Sequence, residues 1–543
     1  MNARAPLQLS LIAALIAALM AVAACSKPDA PAPVAVGAAP SAPASEAHAE
    51  APKGIAWKQA SSDADVDAAF ALAKADNKPV FVYWGAAWCP PCNQVRATLF
   101  NRQDFIERSR AFVPVYIDGD SPGAQKLGTR FKVRGYPTMV LFSPAGDELT
   151  RLPGEVDAQQ YTQVLTLGMN AQRPVKAVLA EARAGGKGLS ANDWKMLAFY
   201  SWDTDEQQIL PQKELPAVLK QLAAACPGDT AGADTRLFLK AWAASDGKAK
   251  LDAAARDRLL AVLRDAEPSR VHMDVLSYNA VELTRALSAP KTPQRQKLLE
   301  AYDASLAGLS NDATLSRADR LTALYARAQL AHIDAPKDAK PTVPQALLAD
   351  VRDHVAHADR ETTDGYERQA VITTAADLLE EAGVPDESDA LLKANLGKSH
   401  SPYYLMLGLA GNAKKRGDKA EALHWYEEAF NRSEGPATRL QWGATYVNAL
   451  VELAPQDEPR IEKAAQQVFT EAAAQPNAFY ERSARALKRV GDKLVTWQKA
   501  PEHRDVVKRL QVQLDGVCRS LPEADGQRST CEGLLKPAAR PAG

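Results

Sequence analysis

The sequence predicts a small α/β domain followed by a long all-α region, with an export segment in front of both. Three observations support this prediction. A run of apolar, strand-forming residues from Val80 to Trp84 leads into a Cys-x-x-Cys motif at Cys89 and Cys92. Beyond Pro174, amphipathic helical patterns follow one another, separated by Gly, Pro, Asp and Ser. The first 25 residues have the positive start and apolar run of a targeting segment.

The length and charge of the chain limit the classes of protein to which it can belong. A chain of 543 residues exceeds what one hydrophobic core organises, so we expect at least two domains. The formal net charge of −1 lacks the basic excess that nucleic-acid-binding proteins carry, so we expect no nucleic-acid partner. Alanine and leucine are abundant, which favours helices.

Residues 1–24 are predicted to be a bacterial lipoprotein signal peptide. Arg4 provides the positive start, an apolar run follows, and the stretch before Cys25 resembles a lipoprotein cleavage site. The resemblance implies cleavage before Cys25 and a lipid on its thiol that tethers the protein to a membrane. An ordinary secretory signal and an uncleaved anchor helix remain alternatives. All three place the chain in the periplasm-facing cell envelope, an oxidising compartment, and Ser26 favours the outer membrane over the inner.

Residues 25–54 begin with the cysteine that would be lipidated and continue as an Ala/Pro-rich stretch. Such a composition cannot bury a hydrophobic core and is typical of a linker. We expect this linker to hold the folded part of the chain away from the lipid surface.

Residues 55–172 are predicted to form the α/β domain. The spacing of Val66, Ala69, Phe70 and Ala73 predicts a first amphipathic helix. The later elements are expected in this order: a strand at Val80–Trp84, a helix at Pro90–Phe100, a strand at Ala111–Ile117, a helix at Ala124–Phe131, strands at Thr138–Phe142 and Glu148–Leu152, and a helix at Asp157–Met169.

The Cys-x-x-Cys motif lies where the first predicted strand passes into a helix. At the first helical turn, free backbone N–H groups and the helix dipole would favour a Cys89 thiolate. A pKa lowered from about 8.5 to about 7 raises the thiolate fraction at neutral pH from roughly 3% to roughly half. Cys92 lies one turn further on, close enough to form a disulfide. Pro90 and Pro91 lack a backbone N–H, which costs least in the first turn of a helix.

Two other interpretations of the motif remain open. A Cys-x-x-Cys pair can bind zinc, but a zinc site normally needs a second cysteine pair or histidines at ligand spacing, and neither accompanies this one. The pair could also form a purely structural disulfide. We therefore favour a redox-active disulfide between Cys89 and Cys92, with no metal and no cofactor.

Residues from about 60 to 170 resemble thioredoxin-fold thiol–disulfide oxidoreductases, especially the C-terminal domain of the periplasmic transmembrane thiol reductase. Three stretches carry the resemblance, and Gly154 follows them: Lys78–Trp84, Trp88–Cys92 and Val133–Phe142.

The resemblance implies roles for several residues. Cys89 would be the attacking and more exposed sulfur, and Cys92 would resolve the mixed disulfide. Pro137 would be the cis-proline facing the pair, and the backbone of Tyr136 would bind an extended substrate. Trp88 would shield the pair and offer an apolar contact surface. Simple packing of Trp88 and an ordinary edge-strand proline at Pro137 are the alternatives.

The sequence departs from the thioredoxin pattern at four positions. Tyr83 replaces the buried aspartate six residues before the first cysteine, and Pro114 roughly replaces its lysine partner. Asn93 and Ala97 replace a lysine and a proline in the helix. The usual proton-relay couple is therefore absent, and the rate, direction and potential of exchange do not follow from the resemblance. By the subgroup that it resembles, we favour a reductant or isomerase.

Residues 173–543 are predicted to be an α-helical array. Between Gly417 and Phe430 the sequence resembles the second half of a tetratricopeptide repeat, and Gly383 lies one 34-residue period earlier. We place tetratricopeptide-like repeats around residues 369–450. No convincing period is found between 173 and 365. A repeat array would offer a concave surface to a partner protein, although a helical scaffold without a ligand is the alternative.

Three cysteines lie outside the motif and the signal. Cys518 and Cys531 are 13 residues apart around a turn, and in an oxidising compartment we expect a structural disulfide between them. Cys226 is left unpaired and is interpreted as a buried thiol rather than a second redox centre.

The sequence supports two hypotheses about function. The first is an exported, lipid-anchored enzyme that exchanges disulfides of cysteine-containing client proteins, is recharged by an unidentified redox partner, and positions clients with its helical arm. The second is a periplasmic adaptor or assembly lipoprotein that binds partners through its helices and keeps a non-catalytic thioredoxin fold.

Overall fold

The structure is a computed structural model that describes residues 54–536, except 134, 155–156, 172, 203–204, 206–208, 229, 231, 246–250, 337–338 and 525. The predicted signal peptide 1–24, the lipidation site Cys25 and all but the last residue of the linker 25–54 lie outside the described residues. Within the described part of the chain, no helix combines the length and the apolar character needed to cross a membrane.

A five-stranded mixed sheet forms the centre of the first region, with the strands in the order β1-β3-β2-β4-β5. β1 and β2 both run parallel to β3, while β4 runs antiparallel to β2 and to β5. The short edge strand β1 is not among the predicted elements. The strands are β1 Lys58–Gln59, β2 Val80–Gly85, β3 Val113–Asp118, β4 Thr138–Phe142 and β5 Glu148–Leu152.

Five helices flank this sheet. The predicted helix Pro90–Phe100 is shorter than expected, because a π-helical turn at Arg96–Phe100 replaces its second half. The helices are α1 Asp63–Asp76, α2 Pro90–Val95, α3 Gln103–Arg108, α4 Ala124–Phe131 and α5 Ala158–Met169, with a 3-10 turn at Ser109–Ala111. The predicted α/β domain is confirmed, with α3 as an addition.

Both faces of the sheet are buried, since successive side chains of a strand point to opposite faces. Val80, Val82 and Trp84 pack in the cluster that contains α1 and α4. Phe81 and Tyr83 belong to the cluster on the other face, which continues into the first helices of the following region. The α/β domain and the helical region therefore share a hydrophobic core.

The rest of the described chain is helical, and the predicted all-α region is confirmed. The helical stretch from Met273 to Leu287 is interrupted, because the backbone at Asn279 leaves the helical conformation. The helices are α6 Val175–Arg183, α7 Ala191–Ala198, α8 Leu215–Ala225, α9 Ala233–Ala243, α10 Ala253–Arg264, α11 Ala266–Val271, α12 Met273–Tyr278, α13 Ala280–Leu287, α14 Pro293–Asn311, α15 Arg317–Ala331, α16 Gln345–Glu361, α17 Gly365–Glu381, α18 Pro385–Asn395, α19 Pro402–Arg416, α20 Lys419–Arg432, α21 Pro436–Leu453, α22 Glu458–Ala473, α23 Glu481–Trp497, α24 Arg504–Ser520 and α25 Gln527–Glu532, with 3-10 turns at Gln212–Glu214 and Pro501–His503.

Helices α17 to α22 pack in consecutive pairs, α17 with α18, α19 with α20 and α21 with α22. Gly383 and Gly417, 34 residues apart, both have positive φ and follow the first helix of a pair, where glycine ends a helix without strain. Ser388 and Asn395 occupy positions where a tetratricopeptide repeat carries alanine. Both are satisfied: Ser388 donates to the Ala376 carbonyl, and Asn395 accepts from Arg368. The assignment to that repeat class stays a prediction.

The remaining cysteines lie in the helical region. Cys518 in α24 and Cys531 in α25 are joined in a disulfide, with their Cα atoms 5.5 Å apart, as the sequence led us to expect. Both side chains are buried. Cys226 is half-buried at the end of α8, with its sulfur 3.3 Å from the hydroxyl oxygen of Thr230.

A buried ion pair joins three helices near the α/β domain. The guanidinium of Arg236 on α9 donates two hydrogen bonds to the carboxylate of Asp274 on α12, at 2.8 and 2.6 Å. It also donates to the Ala198 carbonyl at the end of α7 and lies over the ring of Phe199. Although burial opposes ionisation, the Arg236 guanidinium holds the pKa of Asp274 below its ordinary value.

Asp274→Ala should lower the free energy of unfolding by about 3–5 kcal/mol, because it leaves the fully buried Arg236 without a counter-charge. The control is Asp303→Ala, which removes an ion pair with Arg327 in which Asp303 is 61% exposed, and should cost about 1 kcal/mol or less. Urea denaturation of both variants measures the difference. Equal losses would contradict the importance of the buried pair.

Candidate redox site

The two cysteines of the motif meet at the start of α2. Cys89 is the N-cap residue, and its sulfur accepts the backbone N–H of Cys92 at 3.3 Å. Pro90 and Pro91 occupy the first helical positions, where their missing N–H groups cost least. The Cα atoms of the two cysteines are 5.2 Å apart, and the sulfurs form a disulfide. The N–H of Cys92 is placed to stabilise a thiolate on Cys89 when the disulfide opens.

The loop before β4 completes the site. The Tyr136–Pro137 peptide bond is cis, the geometry that the resemblance implies. The ring of Tyr136 packs against Trp84 and Trp88, and its hydroxyl accepts a hydrogen bond from Gln125 at 3.3 Å. Trp84 on β2 pairs with Thr138 on β4, so the sheet register aligns this loop with the end of the strand that leads into the motif.

One of the four positions that depart from the thioredoxin pattern, Tyr83, belongs to an aromatic cluster. Tyr83 stacks on Tyr116, with ring centres 5.3 Å apart, and meets Phe100 edge-on at 4.9 Å. Burial raises the pKa of Tyr83, so its hydroxyl stays protonated. Pro114 lies in β3 opposite Phe81. A neutral hydroxyl therefore replaces the carboxylate that the family places behind the cysteines.

Both cysteines are buried, Cys89 at 3% exposed and Cys92 at 2%. Cys89 is the more exposed of the two only marginally, and neither sulfur is open to solvent in this structure. The reason is tertiary: Cys89, Cys92 and Trp88 belong to the same buried cluster as Tyr403 and Trp442 of the helical region. The helices cover the face that thioredoxin-like domains usually offer to substrates.

Trp88 is the centre of this covering contact. Its ring stacks on Tyr404 with centres 5.8 Å apart and meets Trp442 edge-on at 4.8 Å. Its indole N–H donates to the hydroxyl of Thr438 at 2.7 Å, and its carbonyl accepts from Gln369 at 3.4 Å. Trp88 thus packs against the chain's own helices, which was the alternative to a shielding role, and its shielding of the pair stays a prediction.

The hydrogen bond from Trp88 continues into a carboxylate. Thr438 donates its hydroxyl to one oxygen of Asp120 at 2.6 Å and its backbone N–H to the other at 2.7 Å. Asp120 thereby caps α21, whose own N-cap residue supplies no side chain. The N-cap residue of α21 is Gly435. A Cβ at this position would lie 2.4 Å from the carboxyl carbon of Asp120. Burial raises the pKa of Asp120 to about 6.

Further polar contacts hold the motif to the helices. His400 donates to the carbonyl of Ala87 at 2.8 Å. Gln94 on α2 donates to the Asp319 carboxylate at 2.7 Å, and burial raises the pKa of Asp319 to about 6. Together with the Trp88 contacts, these bonds fix both sides of the motif to the helical region.

Arg482 lies between the two aromatic residues of the site. Its guanidinium carbon is 5.1 Å from the ring centre of Trp88 and 4.9 Å from that of Tyr136. Its Nε donates to Gln441, and its backbone N–H donates to Gln125 of α4 at 3.1 Å. The guanidinium lines a cavity of about 360 Å³ whose walls include Trp88 and helices α17, α19 and α21.

Sequence reasoning missed four residues of this site: Asp120, Thr438, Arg482 and Asp319. Each acts through a partner far away along the chain, 318 residues in the case of Asp120 and Thr438. The local sequence around Thr438 shows only a Gly-Pro helix start, which carries no information about the carboxylate that caps it.

Comparisons with known proteins agree with the fold of the first region. Residues 66–168 match the family described as thioredoxin-like domain. Thiol:disulfide interchange protein DsbD 1 of Pseudomonas aeruginosa is 31% identical over 106 residues, which are 19% of this chain and 18% of that protein. DsbD of Yersinia pestis is 31% identical over 99 residues, 17% of this chain and 16% of that protein.

A solved structure of a thioredoxin from Thermus thermophilus covers 21% of this chain and 90% of its own, with 28% identity and a TM-score of 0.18. The chain spans less than a fifth of the length of the curated relatives named above. The first region is a thioredoxin-like domain with a Cys-x-x-Cys pair, as the resemblance predicted.

Thr438→Val should expose the redox pair, because it removes the acceptor of the Trp88 N–H and the hydroxyl donor to Asp120. Leaving a buried polar group unsatisfied costs about 1–3 kcal/mol, so we expect about tenfold faster alkylation of Cys89 in the reduced protein. The control is Thr445→Val on the same helix, whose hydroxyl bonds only to the Gln441 carbonyl. Equal alkylation rates in both variants would contradict this role of Thr438.

Asp120 should make the packing of the two regions depend on pH. Folding raises the pKa of Asp120 from an ordinary 3.8 to about 6. The stability that protonated Asp120 gives the folded state is therefore present at acidic pH and is lost as the pH rises through about 6. We expect the urea midpoint of the wild type, relative to Asp120→Asn, to be higher at about pH 5 than at about pH 7.5. Groups common to both proteins cancel in this difference. A difference that is constant or grows with pH would contradict the assignment.

Proposed function

We propose that the chain is an exported thiol–disulfide oxidoreductase that exchanges disulfides of client proteins through Cys89 and Cys92. One observation carries the proposal: the sulfur of Cys89 at the N-cap of α2 accepts the N–H of Cys92, next to the cis-proline loop. This geometry favours a leaving or attacking thiolate on Cys89, with a second sulfur beside it.

The reaction proceeds in two exchanges. In the reduced protein, the Cys89 thiolate attacks a client disulfide, forms a mixed disulfide and expels one client thiolate. The Cys92 thiolate then attacks the Cys89 sulfur, closes the internal disulfide and expels the second client thiolate. The client gains two electrons, and the Cys89–Cys92 disulfide must be reduced again by a redox partner. We favour this reductive direction, or isomerisation, over net oxidation of clients.

The helical region would select and position clients. In support, the ring of Trp88 packs against those of Tyr404 and Trp442. A client that reaches Cys89 must therefore displace or contact the same helices. Each hydrogen bond in the contact has a net worth of about 0.5–1.5 kcal/mol in water, since water satisfies the groups once they separate. The larger part of the contact is apolar, so a client must replace the ring contacts that Trp88 makes with Tyr404 and Trp442.

An envelope location is part of the proposal. Support comes from the sequence of residues 1–25, with lipidation at Cys25 as the membrane anchor, and from the disulfide between Cys518 and Cys531, which an oxidising compartment permits. The outer membrane is favoured over the inner by Ser26. The relatives from Pseudomonas aeruginosa and Yersinia pestis are named thiol:disulfide interchange proteins, and we infer the same chemistry for this chain.

A second candidate function is an adaptor that binds partners through its helices. It is favoured by the burial of both cysteines and by Tyr83 at the position of the family's aspartate. In that case the Cys89–Cys92 disulfide would serve only to hold the start of α2 against the helical region.

Reduction of insulin separates the two functions. The wild type should reduce insulin with a dithiol as electron source, while Cys89→Ser should lose at least about 90% of the rate, because the attacking sulfur is gone. Cys92→Ser should retain a client on Cys89 as a mixed disulfide, which mass spectrometry of envelope extracts would name. If wild type and Cys89→Ser are equally inactive with several reductants and nothing accumulates on Cys92→Ser, the adaptor function is favoured.

A further inference from the structure

A cavity of about 360 Å³ lies between Trp88 and the helical region. Trp88 forms one wall, and Tyr404 on α19, Trp442 on α21 and Arg482 at the start of α23 form others. The volume is near the lower end of the range for ligand pockets, about 300–1,000 Å³, so the cavity admits one or two side chains rather than a folded domain. Trp88 directly precedes Cys89 in the chain, so a group that enters the cavity lies beside the redox motif.

Arg482 gives this cavity a positive charge that no carboxylate neutralises. Its Nε donates to Gln441, but no described residue bonds to the rest of the guanidinium or places a carboxylate within 4 Å of it. Asp377 on α17 also lines the cavity and makes no ion pair with Arg482. Burial lowers the pKa of Arg482, and the positive charges of Arg485 and Arg489 lower it further. An anion beside the guanidinium would oppose all three effects.

Neutral hydrogen-bond donors lie near the guanidinium. Tyr404 and Gln441 line the same cavity, and within the described part of the chain neither the hydroxyl of Tyr404 nor the amide nitrogen of Gln441 makes a hydrogen bond. Burial raises the pKa of Tyr404, Asp377 raises it further and Arg482 lowers it, which places Tyr404 within electrostatic reach of Arg482. A guanidinium with neutral donors around it is suited to a carboxylate, whose two oxygens accept several hydrogen bonds.

Arg482 also contacts both segments that flank the path to the disulfide. Its guanidinium carbon is 5.1 Å from the ring centre of Trp88, which precedes Cys89, and 4.9 Å from that of Tyr136, which precedes the cis-proline. In the proposed function, an extended client segment pairs with the backbone of Tyr136 while its cysteine meets Cys89. The residues next to the client cysteine therefore come close to Arg482.

We propose that this cavity binds an acidic side chain of the client, a glutamate or aspartate near the reactive cysteine. Arg482 is then a specificity-determining residue that the helical region contributes to the thioredoxin-like domain. The inference rests on the proposed function and deepens it, because it names the class of client: segments in which a carboxylate accompanies the cysteine.

Short peptides with capped ends test the inference. Each contains one cysteine, is joined to a second copy by a disulfide, and carries glutamate, glutamine or lysine at one position near the cysteine, so that the three peptides of a set differ chiefly in charge. Sets with the variable residue at successive positions on either side cover the reach of the cavity. The full-length protein reduces each peptide with a dithiol as electron source, and kcat/KM is measured.

For each peptide, kcat/KM of the wild type is divided by that of Arg482→Gln, which cancels the effect of the peptide's charge on its own reactivity. The ratio for the glutamine peptide normalises the other two, so a change in packing that alters access to Cys89 equally for all peptides also cancels. At the best position we expect a normalised ratio of about 3–10 for glutamate and below about 1 for lysine.

Two further variants provide the controls. Arg482→Lys keeps the charge and should restore much of the preference for glutamate. Arg489→Gln removes an equal charge from an exposed position of the same helix that does not line the cavity, and should leave the normalised ratios near about 1. Normalised ratios near about 1 at every position for Arg482→Gln would overturn the inference.

The assay of insulin reduction separates this inference from the proposed function. If insulin is reduced in a Cys89-dependent way but the peptides show no preference for glutamate, or are not reduced, the proposed function stands and this inference falls. If neither insulin nor any peptide is reduced, both fall.

Discussion

The hydrogen-bonded chain from the Trp88 indole through Thr438 to Asp120 is the contact on which the arrangement of the site depends. It joins the start of α2, the segment before α4 and the first turn of α21, three elements that are distant in sequence. Buried N–H and O–H groups must find partners, so this chain and the rings around Trp88 either form together or not at all. When they form, the redox pair is covered.

Burial by the helical region limits which molecules can react with the Cys-x-x-Cys motif. A disulfide at 2–3% exposure cannot meet another folded protein without movement of the helices. In the proposed function, selection of clients and access to Cys89 are therefore the same event. The burial of Cys89 is a property of the assembled chain, because the motif itself lies at the end of a helix within a domain of ordinary thioredoxin-like topology. The helical region therefore acts on the chemistry through access.

Aromatic side chains occupy the position of the family's buried aspartate. The rings of Tyr83, Tyr116, Phe100 and Trp57 pack together at this position. A neutral hydroxyl with a raised pKa takes no proton from a thiol, so the pair depends on the Cys92 N–H to stabilise a thiolate.

Local sequence patterns were sufficient for the elements and the motif. Strand-forming runs predicted β2, β4 and β5, and helical spacing predicted α1. The strand-to-helix position of Cys89 predicted its place at the start of α2, because backbone propensity and hydrophobic period act over a few residues. The burial of Cys89 and the Asp120 cap on α21 had no local signal. They arise from contacts between residues up to several hundred positions apart, and only the packing of the whole chain decides which polar groups come within 3 Å of one another.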